Sequence, residues 1–184
     1  MADLTAPQFT DADAARKALE AIRWPNGPVC PHCGSVDENV TKMADGAHRK
    51  GLYNCKGCRK QFSVTVGTVY ERSHIPLNKW LLATHLMAAG KKGTSAHQMH
   101  RMLGITYKSA WFMAHRIREA MKDTSTEPMG GAGKHVEADE TYIGKKANAT
   151  KRAAYHHKMA VVSLVERGGK ARSFHVDRTT VKNI

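Results

Sequence analysis

No stretch of the sequence is apolar for long enough to cross a membrane. The longest such segment, around Trp80 to Ala89, is interrupted by Thr84 and His85 and falls well short of the ~20 residues a spanning helix needs. A secretory leader is equally lacking, because the opening residues 1–17 carry acids and have no apolar centre. Both absences predict a cytoplasmic protein with no membrane partner. Acidic residues are scarce: 16 Asp plus Glu stand against 29 Lys plus Arg, a net charge of +13 with His neutral. The excess is spread along the chain rather than held in a tail, which predicts a polyanionic partner. Cysteines number only four. Without export they are expected to be reduced thiols, which favours a metal site over disulfides. Neither internal repeats nor low-complexity tracts are present.

At 184 residues the chain has room for several small units rather than one continuous core. Thr10 and Asp13, followed by Ala14, Ala15, Ala18, Leu19 and Ile22, read as a capped helix of about three turns that Trp24-Pro25-Asn26-Gly27 ends. From Cys30 to Val69 the pattern changes to short strands and turns punctuated by glycine. Helical spacing returns from Pro76 to Ala89. Residues 124–134 combine Ser, Thr, Pro and Gly without apolar period and read as a linker. Beyond it, Val136–Ile143, Met159–Val165 and Ala171–Val176 read as strands, the last two joined by a tight turn over residues 166–170. The expected organisation is a multi-domain α+β chain: an N-terminal helix and ribbon over 1–73, a helical segment over 74–123, the linker, and a β-rich unit over 135–184.

Cys30-Pro31-His32-Cys33 and Cys55-Lys56-Gly57-Cys58 are two C-x2-C knuckles at a spacing that suits a four-cysteine zinc site. Each knuckle sets two thiolates on one turn, and two knuckles close a tetrahedral shell with no position left for substrate. The zinc expected on Cys30, Cys33, Cys55 and Cys58 is therefore structural, standing in for a core too small to hold itself by burial. Lys56, Arg59 and Lys60 are expected to help keep the thiolates ionised. His32 is left outside the ligand set.

Residues 94–103, the Gly104-Ile105-Thr106 turn and residues 107–118 have the form helix, short turn, helix. Met99, Met102, Leu103 and Ile105 are placed against Ala110, Met113, Ala114 and Ile117, with Trp111 and Phe112 read as core residues. Lys108, His115, Arg116 and Arg118 are placed on the wet side. A helix-turn-helix enters the major groove by the N-terminal end of its second helix. Thr106, Tyr107, Lys108 and Ser109 are then the candidates for DNA contact, joined by Arg116 and Arg118. A purely structural helix pair is the alternative.

The strand Val136–Ile143 carries acids where a strand ordinarily does not. Alternation sends Val136, Ala138 and Glu140 to one face and Glu137, Asp139, Thr141 and Ile143 to the other. A carboxylate on a central strand is a burden unless a cation or partner meets it.

Three blocks in this order resemble bacterial insertion-sequence transposases of the ISXO-two-like group, which join an N-terminal zinc ribbon to a DDE, ribonuclease-H-like catalytic domain. They are residues 21–27 with the first knuckle and Gly34, residues 53–63 with Val66-Gly67-Thr68, and residues 136–144. The resemblance implies double-stranded DNA as partner, at element ends and target, and a homo-oligomer when assembled on DNA. It implies that Asp139 is the first catalytic acid, with Glu140 as its neighbour. It further implies two divalent ions, magnesium or manganese, that stabilise the entering and leaving oxygens of phosphodiester attack in the complete domain. After Asp177 the sequence shows only what reads as the opening of a helix, so the second and third acids are not in it, and the 184-residue chain is expected to be inactive alone. A truncated DNA-binding derivative and a zinc-ribbon transcription regulator are the alternative readings.

Overall fold

In the computed structural model, which describes residues 3–90, 92–122, 127–146, 157–177 and 179, the chain forms two compact units, 1–121 and 122–184. The stretch after Asp177 expected to open a helix lies outside the described residues apart from Thr179, and so does part of the expected linker.

The first unit opens with α1 (Pro7–Thr10) and α2 (Ala12–Arg23). Thr10 is taken into the first of these turns, so the cap of α2 is Asp11 and not Thr10 as the sequence had implied. The backbone of Asp11 is extended and its carboxylate accepts the Ala14 N–H at 2.7 Å, which satisfies one of the free donors of the first turn. A three-stranded antiparallel sheet follows, β1 (Val40–Lys42), β2 (Tyr53–Cys55) and β3 (Gln61–Phe62), in that order. Its strands are short. Trp24, at the end of α2, lies edge-on to both Tyr53 and Phe62 with ring centres 5.2 and 5.8 Å away. Val40, Val64, Cys30 and Cys55 complete this small buried cluster. Arg23 locks the arrangement by donating to the carbonyls of Val64 and Val66, each at 2.6 Å.

The helical part consists of α3 (Leu77–Ala89), α4 (Ala96–Leu103) and α5 (Tyr107–Ala120). Trp80, Ala83 and Met87 of α3 are buried against Met99 and Leu103 of α4 and Ala110, Met113, Ala114 and Ile117 of α5. The buried positions of α5 fall at intervals of three and four, the stripe that one face of a helix presents. Trp80 has no exposed surface. Its indole N–H is nevertheless satisfied, donating to Ser73 Oγ at 2.8 Å. Ser95 caps α4 through the Gln98 N–H and Thr106 caps α5 through the Ser109 N–H. Between them Gly104 ends α4 in the left-handed conformation, φ 58°, which lacks a Cβ penalty only for glycine.

The second unit is an antiparallel meander of β4 (Val136–Ile143), β5 (Met159–Glu166) and β6 (Ala171–Val176). Asp139 stands opposite Ser163, which stands opposite Ser173; these three share one face, and the two hydroxyls hydrogen-bond at 2.8 Å. Ala160 and Val162 are buried. The β5–β6 turn is tightened by Glu166, whose buried carboxylate meets Lys134 Nζ at 2.6 Å and is held below the usual carboxylate range chiefly by that contact.

Replacing Trp80 by Ala removes the largest side chain of the helical core together with the Ser73 hydrogen bond. Such large-to-small changes cost ~3–5 kcal/mol. Chemical denaturation followed by helical circular dichroism should show a loss of that order for Trp80→Ala and a smaller one for Trp80→Phe; equal, negligible losses would mean that α3 is not packed as described.

Candidate metal centre and nucleic-acid interface

The two knuckles are built by backbone before they are built by thiols. In the first, the Gly34 N–H donates to the Cys30 carbonyl and the Cys30 N–H to the Ser35 carbonyl, both at 2.9 Å. In the second, the Cys55 N–H donates to the Lys60 carbonyl at 3.0 Å. The residue after each knuckle turns left-handed, Gly34 at φ 74° and Arg59 at φ 59°, so both loops curl back under their own sulfurs. Gly57 matters for a different reason. A Cβ there would stand 2.8 Å from Ser35 Oγ and would displace the hydroxyl that contacts Cys33 Sγ.

The result brings all four sulfurs within 4.8 Å of one another. Cys30 and Cys58 lie 3.7 Å apart and Cys33 and Cys55 lie 3.6 Å apart. A regular tetrahedron of Zn–S bonds about 2.3 Å long has edges of about 3.8 Å. The quartet thus fits a zinc ion in both chemistry and size. Each sulfur pair spans the two knuckles, so a shared ion would tie them together.

The thiols do not titrate alike. The Ser35 hydroxyl and amide bring Cys33 down to about 6, and the Cys58 amide lowers Cys55. The Lys60 amide also acts to lower Cys58, but burial and the three neighbouring thiols outweigh it and push that group up to about 12. Lys56, Arg59 and Lys60, expected to help keep the thiolates ionised, are exposed, and the largest causes that lower Cys33 and Cys55 are hydrogen bonds to the sulfurs. His32 is exposed. Among the described residues the quartet is the one group of three or more His, Cys, Asp or Glu close enough to hold a metal.

On the helix pair the candidate DNA contacts fall into two sets. Tyr107 and Lys108 are exposed at the start of α5, where Thr106 and Ser109 are tied to each other by the cap. Arg116 and Arg118 are engaged within the protein. Arg116 donates to the Glu71 carbonyl at 3.0 Å and lies 5.7 Å from the Phe112 ring centre, and Arg118 donates to the Thr94 carbonyl at 3.1 Å. Two core expectations are corrected. Trp111 and Phe112 are 50% and 51% exposed, because the buried stripe of α5 at 110, 113, 114 and 117 leaves both outside it. Met102, 50% exposed, likewise stands outside the core.

A feature not singled out by motif is the distribution of acids. Residues 72–118 contain no Asp or Glu, although they hold Arg72, Lys79, Lys92, Arg101 and Lys108 among their cations. Asp139, in the second unit, is exposed on β4, and its Oδ1 accepts the Glu140 N–H at 2.9 Å.

Protein purified without added metal should contain about one zinc per chain, since the quartet closes a single four-thiolate shell. Uptake should release protons, because thiols must ionise to ligate, and acidification should strip the metal. Elemental analysis checks this: a Cys30→Ala, Cys55→Ala double variant is expected to hold essentially none, and normal content in it would sink the assignment.

Comparison with known proteins places this geometry. Residues 10–61 match a family described as the transposase zinc-ribbon domain, a span that begins in α1 and contains all four cysteines. A protein of Halobacterium salinarum, named as an uncharacterized protein in transposable element ISH50, is 32% identical over 136 residues, which is 73% of this chain. The chain spans 43% of that relative's length. No solved structure matches the chain. None of the described helices is long and apolar enough to cross a membrane. Over the cysteine quartet and the helix leading into it, the chain is thus similar to the zinc-ribbon domain of transposases, and its likeness to an insertion-element protein runs well beyond the ribbon.

Proposed function

We propose that this chain is the DNA-binding front portion of an insertion-sequence transposase. The observation that carries the reading is the cysteine quartet, which has both zinc-sized geometry and the match to a transposase ribbon. The structural zinc holds the ribbon, and the ribbon and the acid-free stretch of residues 72–118 face the phosphates of double-stranded DNA. In this reading α4 and α5 act as a helix-turn-helix, with Tyr107 and Lys108 offered to the groove and Thr106 and Ser109 shaping the helix start. Arg116 and Arg118 then serve mainly to fix α5. Their guanidinium groups anchor it to the Glu71 and Thr94 carbonyls.

The second unit is read as the opening strands of a ribonuclease-H-like domain. Asp139 is its first metal-binding acid, on β4, which pairs with β5 and is followed in sequence by two antiparallel strands. The complete domain would bring further acids, and the two magnesium or manganese ions they hold would stabilise the oxygens entering and leaving phosphorus. Assembly on two element ends would engage more than one copy. Such a protein works in the cytoplasm at the nucleoid.

Duplex affinity should fall with salt at a log–log slope of about −0.9 per phosphate neutralised. Lys108→Ala should weaken binding without altering zinc content, and Arg116→Ala should lower stability as well as binding; salt-insensitive binding would refute the electrostatic contact. Catalysis has a separate test. In a protein that joins this chain to the further acids, Asp139→Asn should abolish magnesium-dependent strand cleavage and leave zinc content and duplex affinity unchanged, and cleavage that survives the change would remove Asp139 from the site.

A further inference from the structure

The outer face of the helix pair carries more ring surface than a groove-reading helix needs. Tyr107 and Trp111 are 43% and 50% exposed, and with His115 they recur every fourth residue, a row with about 6 Å between steps. His97 of α4 extends the row by stacking on Tyr107 at 4.2 Å with the rings 27° apart, and His115 lies 4.2 Å from Trp111. Phe112, 51% exposed, flanks it. Cations border the rings: Lys108 follows Tyr107, and Arg101 is one turn along α4 from His97. No acid lies between residues 72 and 118.

We propose that this ladder is a stacking surface for unpaired nucleobases, so that the helix pair takes single-stranded DNA as well as duplex. Ring faces have little to offer a duplex, whose bases are covered above and below and show only their edges in the grooves. An unpaired base exposes its whole π-face, and any base can stack on an aromatic side chain while neighbouring cations hold the phosphates. A second copy of the chain is the weaker occupant. It would set Lys108 and Arg101 of one copy near the like charges of the other. The inference rests on the helix pair being the part that meets nucleic acid, and it adds a substrate form that duplex recognition does not require.

Tryptophan fluorescence of the full zinc-loaded chain isolates the site. Trp24 and Trp80 are buried, at 8% and 0% exposure, and Trp111 is half exposed. An oligothymidylate single strand should therefore quench emission through Trp111, and more strongly than a duplex with the same number of phosphates. Trp111→Ala should abolish the quenching and weaken single-strand affinity about tenfold or more, with duplex affinity changed by less than about twofold. Trp111→Phe should retain most of the affinity without the signal, and Tyr107→Ala should weaken binding while keeping the tryptophan, which guards against a misfolded Ala variant. Zinc content and helical circular dichroism report folding. Single-strand affinity indifferent to Trp111 and Tyr107, equal losses on single strand and duplex in Trp111→Ala, or self-association abolished by Trp111→Ala would each overturn the proposal. Failure to bind either form of DNA would instead overturn the DNA-binding reading itself.

Discussion

Four sulfurs drawn within 4.8 Å of one another are the constraint on which the N-terminal part of the structure depends. The ribbon strands are three, three and two residues long, and an isolated sheet of that size cannot stand on backbone pairing alone. Cys30 and Cys55 belong both to the quartet and to the buried cluster around Trp24, Tyr53 and Phe62. The same groups that ligate therefore pack. A metal on the quartet would fix the two knuckles, the knuckles fix β2, and β2 positions the ring of Tyr53 on which Trp24 at the end of α2 leans. Arg23 carries the constraint to the segment after β3 through two carbonyls. Where burial is this limited, a metal contributes folding energy that a larger domain draws from its core.

The helical segment solves a different problem. From residue 72 to residue 118 it keeps a long cationic stretch folded without a carboxylate to offset the charge. Part of the solution is that not every cation faces water. Arg116 is placed over the Trp80 and Phe112 rings and donates to a backbone carbonyl, so its charge is met by π-faces and a dipole. Arg118, although exposed, also donates to a backbone carbonyl, that of Thr94. The cations that remain outward, Lys108 and Arg101 among them, lie on an exposed surface with aromatic rings between them. Such a surface has no intramolecular counter-charge close by in sequence, which suits it to phosphates.

Much of this was legible because the signals were local. The spacing of Cys30, Cys33, Cys55 and Cys58 fixes which groups can meet a metal, and the structure brings all four together. The strands Val136–Ile143 and Ala171–Val176 follow from β-branched and alternating residues, and the helix after Pro76 from apolar periodicity. What escaped depends on three-dimensional competition. Asp11 takes the cap of α2 because Thr10 has already entered a helical turn, a choice that two adjacent capping residues leave open. Trp111 and Phe112 read as core by size, yet the narrow stripe of small and medium side chains at Ala110, Met113, Ala114 and Ile117 already fills the interface. Ser35 as the partner of Cys33 could have been found only from the loop's own hydrogen bonds. The engagement of Arg116 and Arg118 rests on contacts to Glu71 and Thr94, far away in sequence, for which no motif exists.

Amide hydrogen exchange of the zinc-loaded chain, before and after chelation, tests most directly whether the ribbon hangs on its metal. Chelation should strip protection from the amides of Cys30, Gly34, Cys55 and Lys56 and from β1 to β3, while α3 to α5, whose core is Trp80, Met99 and Met113, keep theirs. Unchanged protection across the ribbon after the metal is gone would contradict the account, since the sheet would then be standing on its own burial and backbone pairing.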